Sequence, residues 1–573
     1  MNHDYDICVV GSGAGAGPII HTLAHAGYKV LVLEKGPWYT EADYFKDELK
    51  TSLRGGYTPD LRDEQHVIEL ENDDGSWRTF PTYQSNWNFW NGNVVGGSSN
   101  FMSGFFHRLK PNDFKLLSTY GPIAGANIVD WPISYDDMEP YYDKVEKVVG
   151  VSGRVIDHPF QEPRSSKDFP YPPTQEHPIA QHIDKACERL GFHSMPMPRA
   201  ILSQPALNRN ACVYSGFCGS YGCASGAKSS SRVALIDSAL ATGNCDLRPE
   251  SMVTHIQSDQ SGNVSAIEYI DKHGQKQRVD AKVYVVAAQA IESARLLLNS
   301  TGPKHPNGLA NNQNQVGKNL IFAGGGAGSG RLTYDKFSDE QVSQLKQFGT
   351  FVNRSLQDWY EIKDKNLFKT DAPQKGGTID FVHLHPNPVA RASRQIRSNG
   401  GLLWGKPLKN RLKEHFTEGR YIKVEAFCDW APTDNSHVTL DPKVKDKWGL
   451  PVAKIKVDVH VQNLRVGWFL ANKSGDVLRE MGADNVLSFA SGVPPTNLVA
   501  GACRFGNDPK TSVLNSDCQA HDVDNLYITD GSFMPTGGSV PHTWTIYANS
   551  FRVADIIIAR LGGNKKPSDL DFG

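Results

Sequence analysis

The sequence predicts an α/β fold: a parallel-sheet domain of the dinucleotide-binding type joined to a second, sheet-based domain. Three observations carry this reading. A glycine-rich turn sits between an apolar strand and a helix at the N-terminus. Apolar strand patterns of the same kind return hundreds of residues downstream. Between the returns lies a region of alternating apolar and polar residues with its own texture.

The first observation is ordered residue by residue. Residues 5–10 read as a buried strand that runs into Gly11, Gly13, Gly15 and Gly17, followed by a helical stretch at 18–26 and an apolar run at 28–33 closed by Glu34. Strand, glycine turn, helix, strand and acid form the Rossmann-like unit. Gly11 allows the tight turn, Gly13 lets main chain approach a pyrophosphate, and Ala16 or Gly17 keeps the helix close to the sheet. The helix N-terminus then faces the phosphates. Glu34 stands where a carboxylate takes both ribose hydroxyls, which favours NAD or FAD over a 2′-phosphorylated cofactor.

The returning elements are strand patterns at 245–249, 253–258, 264–269 and 281–286, a helix at 291–298, a strand at 526–529 and a terminal helix at 545–561. Helices are also expected at 135–148, with Met138, Tyr141, Tyr142 and Val145 on one face, and at 182–190. The second domain is read from alternating segments at 376–384, 420–427, 437–440 and 452–459 and a long helix at 464–481. The chain is accordingly divided into a first dinucleotide-binding part at 1–154, a linker and substrate-domain part at 155–224, a second binding part at 225–309, a substrate domain at 310–491 and a C-terminal binding part at 492–573. A chain of 573 residues is too long for one growing core, which fits two joined domains.

Composition excludes several classes. Sixty basic and 62 acidic residues leave a formal charge of −2, so no nucleic-acid partner is expected. No run reaches the length of an apolar membrane span, and Met1 to Asp4 leads almost directly into the first strand, so a cytoplasmic location is expected. Nine cysteines in a chain of this size are not a disulfide framework. Cys212, Cys218 and Cys223 lie close in a glycine-rich stretch; ordinary reduced thiols are the expected reading, an iron–sulfur cluster the alternative, and no metal site is assigned.

A second glycine cluster, Gly92 to Asn100, follows Trp87, Asn88, Phe89 and Trp90. Together with Val286-Ala287-Ala288-Gln289-Ala290-Ile291-Glu292-Ser293, Gly501-Ala502-Cys503-Arg504-Phe505-Gly506 and the run from His521 to Ser532, these motifs make the chain resemble the glucose-methanol-choline family of FAD oxidoreductases over nearly its full length. The stretch from Leu109 to Lys115 with Ser118 to Gly121 is similar to the bacterial sugar and polyol dehydrogenase branch. The resemblance implies FAD as cofactor, with Gly11, Gly13, Gly15, Glu34 and Val253 at its adenosine half, Gly96, Gly97, Ser98 and Asn100 at the flavin or diphosphate, and Asp530, Gly531 and Thr543 near the ribityl and diphosphate region. It implies oxidation of a secondary alcohol of a sugar, glycoside or polyol by hydride transfer to flavin, with an electron-transfer protein or quinone as a further partner. Covalent attachment through His107 is not expected.

Two family positions depart from the pattern. The histidine expected before Gly501 is Leu498, and the asparagine expected before the last helix is Pro541. Leucine neither accepts nor returns a proton. His542, one residue later, becomes the expected base, with Asn497 orienting substrate; the bland alternative for His542 is a helix cap or inert packing. Asn549, His383, His385, Glu425 and Trp430 are further pocket candidates. The two departures also keep open redox-neutral, lyase or isomerase chemistry on the same fold, and a cofactor-binding scaffold without turnover.

Overall fold

The computed structural model describes residues 3–44, 48, 57–72, 74–85, 87, 89, 92–398, 400–493 and 495–563. Its centre is a five-stranded parallel sheet in the order Leu526–Ile528, Ala281–Val286, Tyr5–Val10, Val30–Leu33, Cys245–Arg248. The middle strand is sealed on both faces: Ile7, Cys8 and Val9 are wholly buried. An all-parallel sheet is covered on both sides, so its strands read as continuous apolar runs and not as alternation. The register sets Val10 beside both Leu33 and Val286, so three strands end together at the glycine turn, which opens a crevice at their carboxyl ends.

Helix Gly17–His25 leaves the turn with Pro18 in its first turn, where a missing N–H costs no intrahelical bond. It packs against the C-terminal helix Thr543–Arg560, whose Tyr547, Ala548, Phe551 and Ala554 are buried. The helix expected at 135–148 is α-helical over Tyr135–Val145 and passes into a π-helical turn at Glu146–Gly150. Ser134 starts it by accepting from the Asp137 amide, a capping box.

The second domain is built on a six-stranded antiparallel sheet in the order Asp484–Ala490, Gly326–Thr333, Gly419–Cys428, Gly377–His383, Arg354–Leu356, Ser194–Pro196. Helix Val461–Glu480 covers one face, with Val466, Leu470, Val477 and Leu478 in one apolar cluster with Ile379, Ile422 and Val424. Gly467 lets that helix rest directly on the sheet, because a side chain there would drive into the backbone of Gly325. The alternation of a strand then aims Lys423, Glu425 and Phe427 at the opposite face, which looks onto the crevice.

The strands at 437–440 and 452–459, read from sequence together with this sheet, pair elsewhere. His437–Lys445 and Pro451–Val457 join Val67–Glu71 and Trp77–Pro81 in a separate four-stranded sheet. The cause is the apolar face: Ala453, Ile455 and Val457 share a core with Ile68 and the parallel sheet. Alternation marks a strand, but it does not say which sheet the strand joins.

Candidate active site

A cavity of about 540 Å³ lies between the parallel sheet and the bare face of the six-stranded sheet, within the range of small-molecule and cofactor sites. Gly11, Gly13, Gly15, Glu34, Gly97, Ser98, Val253, Asp530, Gly531 and Thr543 line it, and so do Asn497, Leu498, Pro541 and His542. Gly96 and Asn100 sit behind the wall. Gly96 turns the chain with φ of +89° and donates its N–H to Ser12 Oγ at 2.9 Å. Asn100 spends its amide on the carbonyls of Val95 and Gly97, at 2.9 and 3.0 Å. Both hold the second glycine loop in shape so that Gly97 and Ser98 reach the crevice.

The residues present fit a flavin dinucleotide. A side chain built on Gly13 would meet nothing within 4 Å, so the main chain there borders open space. Gly15 has the opposite constraint: a Cβ would stand 2.5 Å from the Asp530 Cα, so this glycine brings the turn against the last strand. Glu34 is buried, accepting from Ser12 Oγ at 2.5 Å and from the Gly36 amide at 2.7 Å. Burial pushes its carboxyl above the usual range, and these hydrogen bonds pull it back. Asp530 turns its carboxylate to the Ser532 amide at 2.8 Å, the Gln289 amide at 3.0 Å and the Ser293 hydroxyl. It ties its own turn to the start of helix Ala290–Asn299 at the cavity edge. Glu34, Asn93 and Asp530 bring polar side chains to the lining.

His542 occupies the N-cap position of Thr543–Arg560 but makes no capping hydrogen bond. Its ring is buried, and neither Nδ1 nor Nε2 has a hydrogen-bond partner among the described residues. Burial alone pushes the imidazole down to about 4, so it is neutral at pH 7 and able to accept a proton. Leu498 and Pro541 both lie on the cavity wall, so the two departures from the family pattern alter the site itself.

Several sequence candidates fall elsewhere. Trp430 is fully buried against Phe322, with ring centres 5.3 Å apart, and serves the core. Asn549 lies two turns into the helix from His542 but points inward, donating to Cys518 Sγ at 3.3 Å. His383 packs edge-on to His177 at 4.7 Å, and His385 lies against Tyr221; neither lines the cavity. His107 is buried 3.3 Å from Asp380, away from the cavity wall. Glu425 does line the cavity, paired with Lys423 at 2.6 Å. Among the described residues, no three His, Cys, Asp or Glu side chains converge as metal ligands, the cysteine stretch included. No helix among them is long and apolar enough to cross a membrane.

Sequence reasoning passed over Gln289 as a site residue. It lines the cavity at φ of +84°, caps helix Ala290–Asn299 through its own side chain, and donates to the Phe89 carbonyl at 3.2 Å. Its place just before a helix was the available signal. Asn88 and Trp90 of the aromatic lead-in lie outside the described residues.

Two family models described as GMC oxidoreductase match residues 78–322 and 432–550. A 2-methyl-1,2-propanediol dehydrogenase from Mycolicibacterium austroafricanum is 31% identical, covering 97% of this chain and 95% of the relative. A 6'''-hydroxyparomomycin C oxidase from Streptomyces lividus is 28% identical over 98% of this chain and 92% of its own length. Among solved structures, a formate oxidase superposes with a TM-score of 0.64 at 14% identity, covering 97% of this chain and 98% of that one, a likeness of fold.

Proposed function

Since the chain belongs to the GMC oxidoreductase family, and is thereby an FAD-dependent oxidoreductase acting on CH–OH groups, we propose that it oxidises a secondary alcohol of a sugar, glycoside or polyol with His542 as its base. The observation that carries this reading is the His542 ring on the wall of the cavity: buried, neutral and, among the described residues, without a hydrogen-bond partner. A buried imidazole left unpaired is costly unless a ligand completes it. A substrate hydroxyl is the group that does so, donating to the ring and then giving up its proton.

FAD, when bound, would accept the hydride and with it the two electrons of the oxidation. The chain's own residues do the rest. Asn497, on the same cavity wall, offers an amide to orient the alcohol. The N-terminus of Thr543–Arg560 opens onto the cavity through Thr543 and favours negative charge there, which aids loss of the hydroxyl proton. Leu498 closes the wall against water without competing for the proton. Lys423 and Glu425 place a charged pair opposite, suited to a ligand with several hydroxyls. The two sequence relatives, one named for a diol and one for an aminosugar, are consistent with a polyhydroxylated substrate. All nine cysteines are unpaired, which supports the cytoplasm as the working compartment.

The test is anaerobic reduction of the purified flavoprotein by D-mannitol, methyl β-D-glucoside and 2-methyl-1,2-propanediol. Bleaching of the flavin with a matching yield of ketone is expected with mannitol or the glucoside; bleaching by 2-methyl-1,2-propanediol alone, whose hydroxyls are primary and tertiary, would overturn the secondary-alcohol reading. Product formed without flavin reduction would replace this reading with redox-neutral chemistry. Reoxidation by oxygen, compared with a quinone or a one-electron dye, then separates oxidase from dehydrogenase.

A further inference from the structure

We propose that the excursion at residues 384–418 docks the protein onto an anionic lipid bilayer and turns the mouth of the cavity toward the lipid. The inference concerns the surface and does not depend on which residue is the base. Strands Gly377–His383 and Gly419–Cys428 are antiparallel neighbours, and such neighbours are commonly joined by about 2–5 residues. Here the connection carries helix Pro388–Ser393, a short hairpin of Arg397–Ser398 with Gly401–Leu402, and helix Gly405–Thr417. No residue of that last helix is buried.

Two properties of the excursion point to lipid. The first is charge. Between residues 388 and 417 seven basic residues stand against one acid, Glu414, in a chain whose formal charge is −2. Lys406, Lys409 and Lys413 fall at i, i+3 and i+7 on the exposed side of the helix, while Leu408, Leu412 and His415 are half-buried on the other. Glu414 is spent on Arg331 at 2.8 Å, and Glu418 lies 3.3 Å from Lys413. Among the described residues, Arg394, Arg397, Lys406 and Lys409 meet no carboxylate. The second property is apolar exposure. Leu402 and Trp404, where the hairpin passes into the helix, are 63% and 78% exposed. Tryptophan and leucine beside lysines suit a bilayer surface: the apolar bodies enter the interface and the ammonium groups reach the headgroups. Protein interfaces also take tryptophan but are poor in lysine, so lipid is the occupant that fits both. Such docking is peripheral and needs no spanning helix.

The sheet register ties this surface to the cavity. Tyr421, Lys423 and Glu425 share one face of strand Gly419–Cys428. The His415 ring lies 5.2 Å from that of Tyr421, so the basic helix covers the outer end of the face whose next residues line the cavity. The Lys423 and Glu425 side chains are 38% and 33% exposed, which marks the mouth. In register with them, across Ser329 and Ala327, stand Leu487 and Phe489 of the edge strand. Both are exposed, as is Val493 on the cavity wall. Apolar side chains therefore rim the mouth one strand step from the row where Arg331 meets the basic helix.

The experiment sediments FAD-loaded protein with vesicles of phosphatidylcholine, alone or in equal parts with phosphatidylglycerol. Wild type should bind the mixed vesicles and not the neutral ones, and more weakly as salt rises from about 0.1 to 1 M. Lys406→Glu/Lys409→Glu/Lys413→Glu should weaken binding about a hundredfold. Leu402→Ser/Trp404→Ser, which changes no charge, should weaken it about tenfold or more, and Leu487→Ser about threefold. Lys272→Glu/Lys276→Glu, at another exposed hairpin, is the charge control and should bind as wild type. Brominated lipid should quench a tryptophan emission that Trp404→Phe lacks. Flavin content and kcat with a soluble substrate should hold throughout, since all these side chains are exposed. Absence of binding to the mixed vesicles overturns lipid docking. So does binding lost in the lysine variant but untouched in Leu402→Ser/Trp404→Ser, which would assign the surface to an acidic protein instead. Binding by Leu487→Ser equal to wild type overturns the placement of the mouth against the bilayer.

Discussion

Around Gly11, Gly13 and Gly15 the cavity wall is main chain; around His542 it is side chain. At the glycine turn the surface is fixed by backbone geometry: φ of +94° at Gly11, open space at Gly13 and a close approach to Asp530 at Gly15. Elsewhere the surface is assembled from the side chains of His542, Asn497, Leu498, Glu425 and Phe427, drawn from separate strands and loops. A backbone wall tolerates little change in conformation but demands little of residue chemistry beyond smallness. A side-chain wall can exchange leucine for histidine and keep its shape, so its chemistry drifts while the cofactor end stays readable. Substitutions at the two ends should therefore separate cofactor loading from turnover.

The largest effect is expected at the side-chain end. His542→Gln should lower kcat by about a hundred- to ten-thousandfold, the range for a positioned general base, while flavin content per chain stays near wild type. Stopped-flow flavin reduction checks this. The same variant should alter acid stability in a defined direction. The folded-state imidazole lies near 4, below its ordinary 6.5, so it contributes stability above 6.5 that is lost as pH falls through about 4. Thermal melts of His542→Gln should thus decline less steeply across that window. His21, near 3, and His177, near 4, keep part of the decline in place. Unchanged kcat would break the comparison, because the side-chain wall would then carry no chemistry.

Next comes the backbone end. Gly13→Val should fold, because nothing lies within 4 Å of the new Cβ, yet retain less than about a tenth of the wild-type flavin, since the group occupies space meant for the cofactor. Absorbance at 450 nm beside far-UV circular dichroism reads both outcomes. Gly11→Ala sharpens the point: it must hold a positive φ and collides with the Ala287 carbonyl, so folding itself should suffer.

The same division decides what was legible in the chain. Strand, turn, helix and acid from Tyr5 to Glu34 are contiguous, and local sequence sets them; the structure places Tyr5–Val10, Gly17–His25 and Val30–Leu33 accordingly. The returning strand Ala281–Val286 and the last helix were legible because burial on all sides leaves an apolar run. Sheet membership was not: Pro451–Val457 shows the alternation of any half-buried strand, and only tertiary packing places it beside Val67–Glu71. Trp430 looked like a pocket residue by type and proved to be core. Asn100 shows the limit of a motif: its side chain faces the loop it stabilises.

A smaller effect is expected where the two kinds of wall meet. Glu34→Gln keeps the shape but removes the charge that accepts from Ser12 and Gly36. A charge-assisted hydrogen bond contributes roughly 1.5–3 kcal/mol, so FAD affinity should fall by about ten- to a hundredfold, measured by titrating apoprotein with FAD. A result within twofold would mean that the neighbouring amides, and not the carboxylate, hold the ribose end.

The smallest change tests the sheet face opposite. Glu425→Gln leaves strand Gly419–Cys428 intact, because the side chain is one-third exposed and forms no part of the apolar cluster behind it. Exposed ion pairs contribute about 0–1 kcal/mol to stability, so the melting temperature should barely move. Its carboxylate nevertheless faces the cavity beside Lys423. If that pair binds hydroxyls distant from the reacting carbon, the binding is equal in ground and transition states, and KM for a polyol should rise about threefold with kcat unchanged. A fall in kcat at constant KM would instead place Glu425 at the reacting carbon, and the side-chain wall would then have a second charged participant across the cavity from His542.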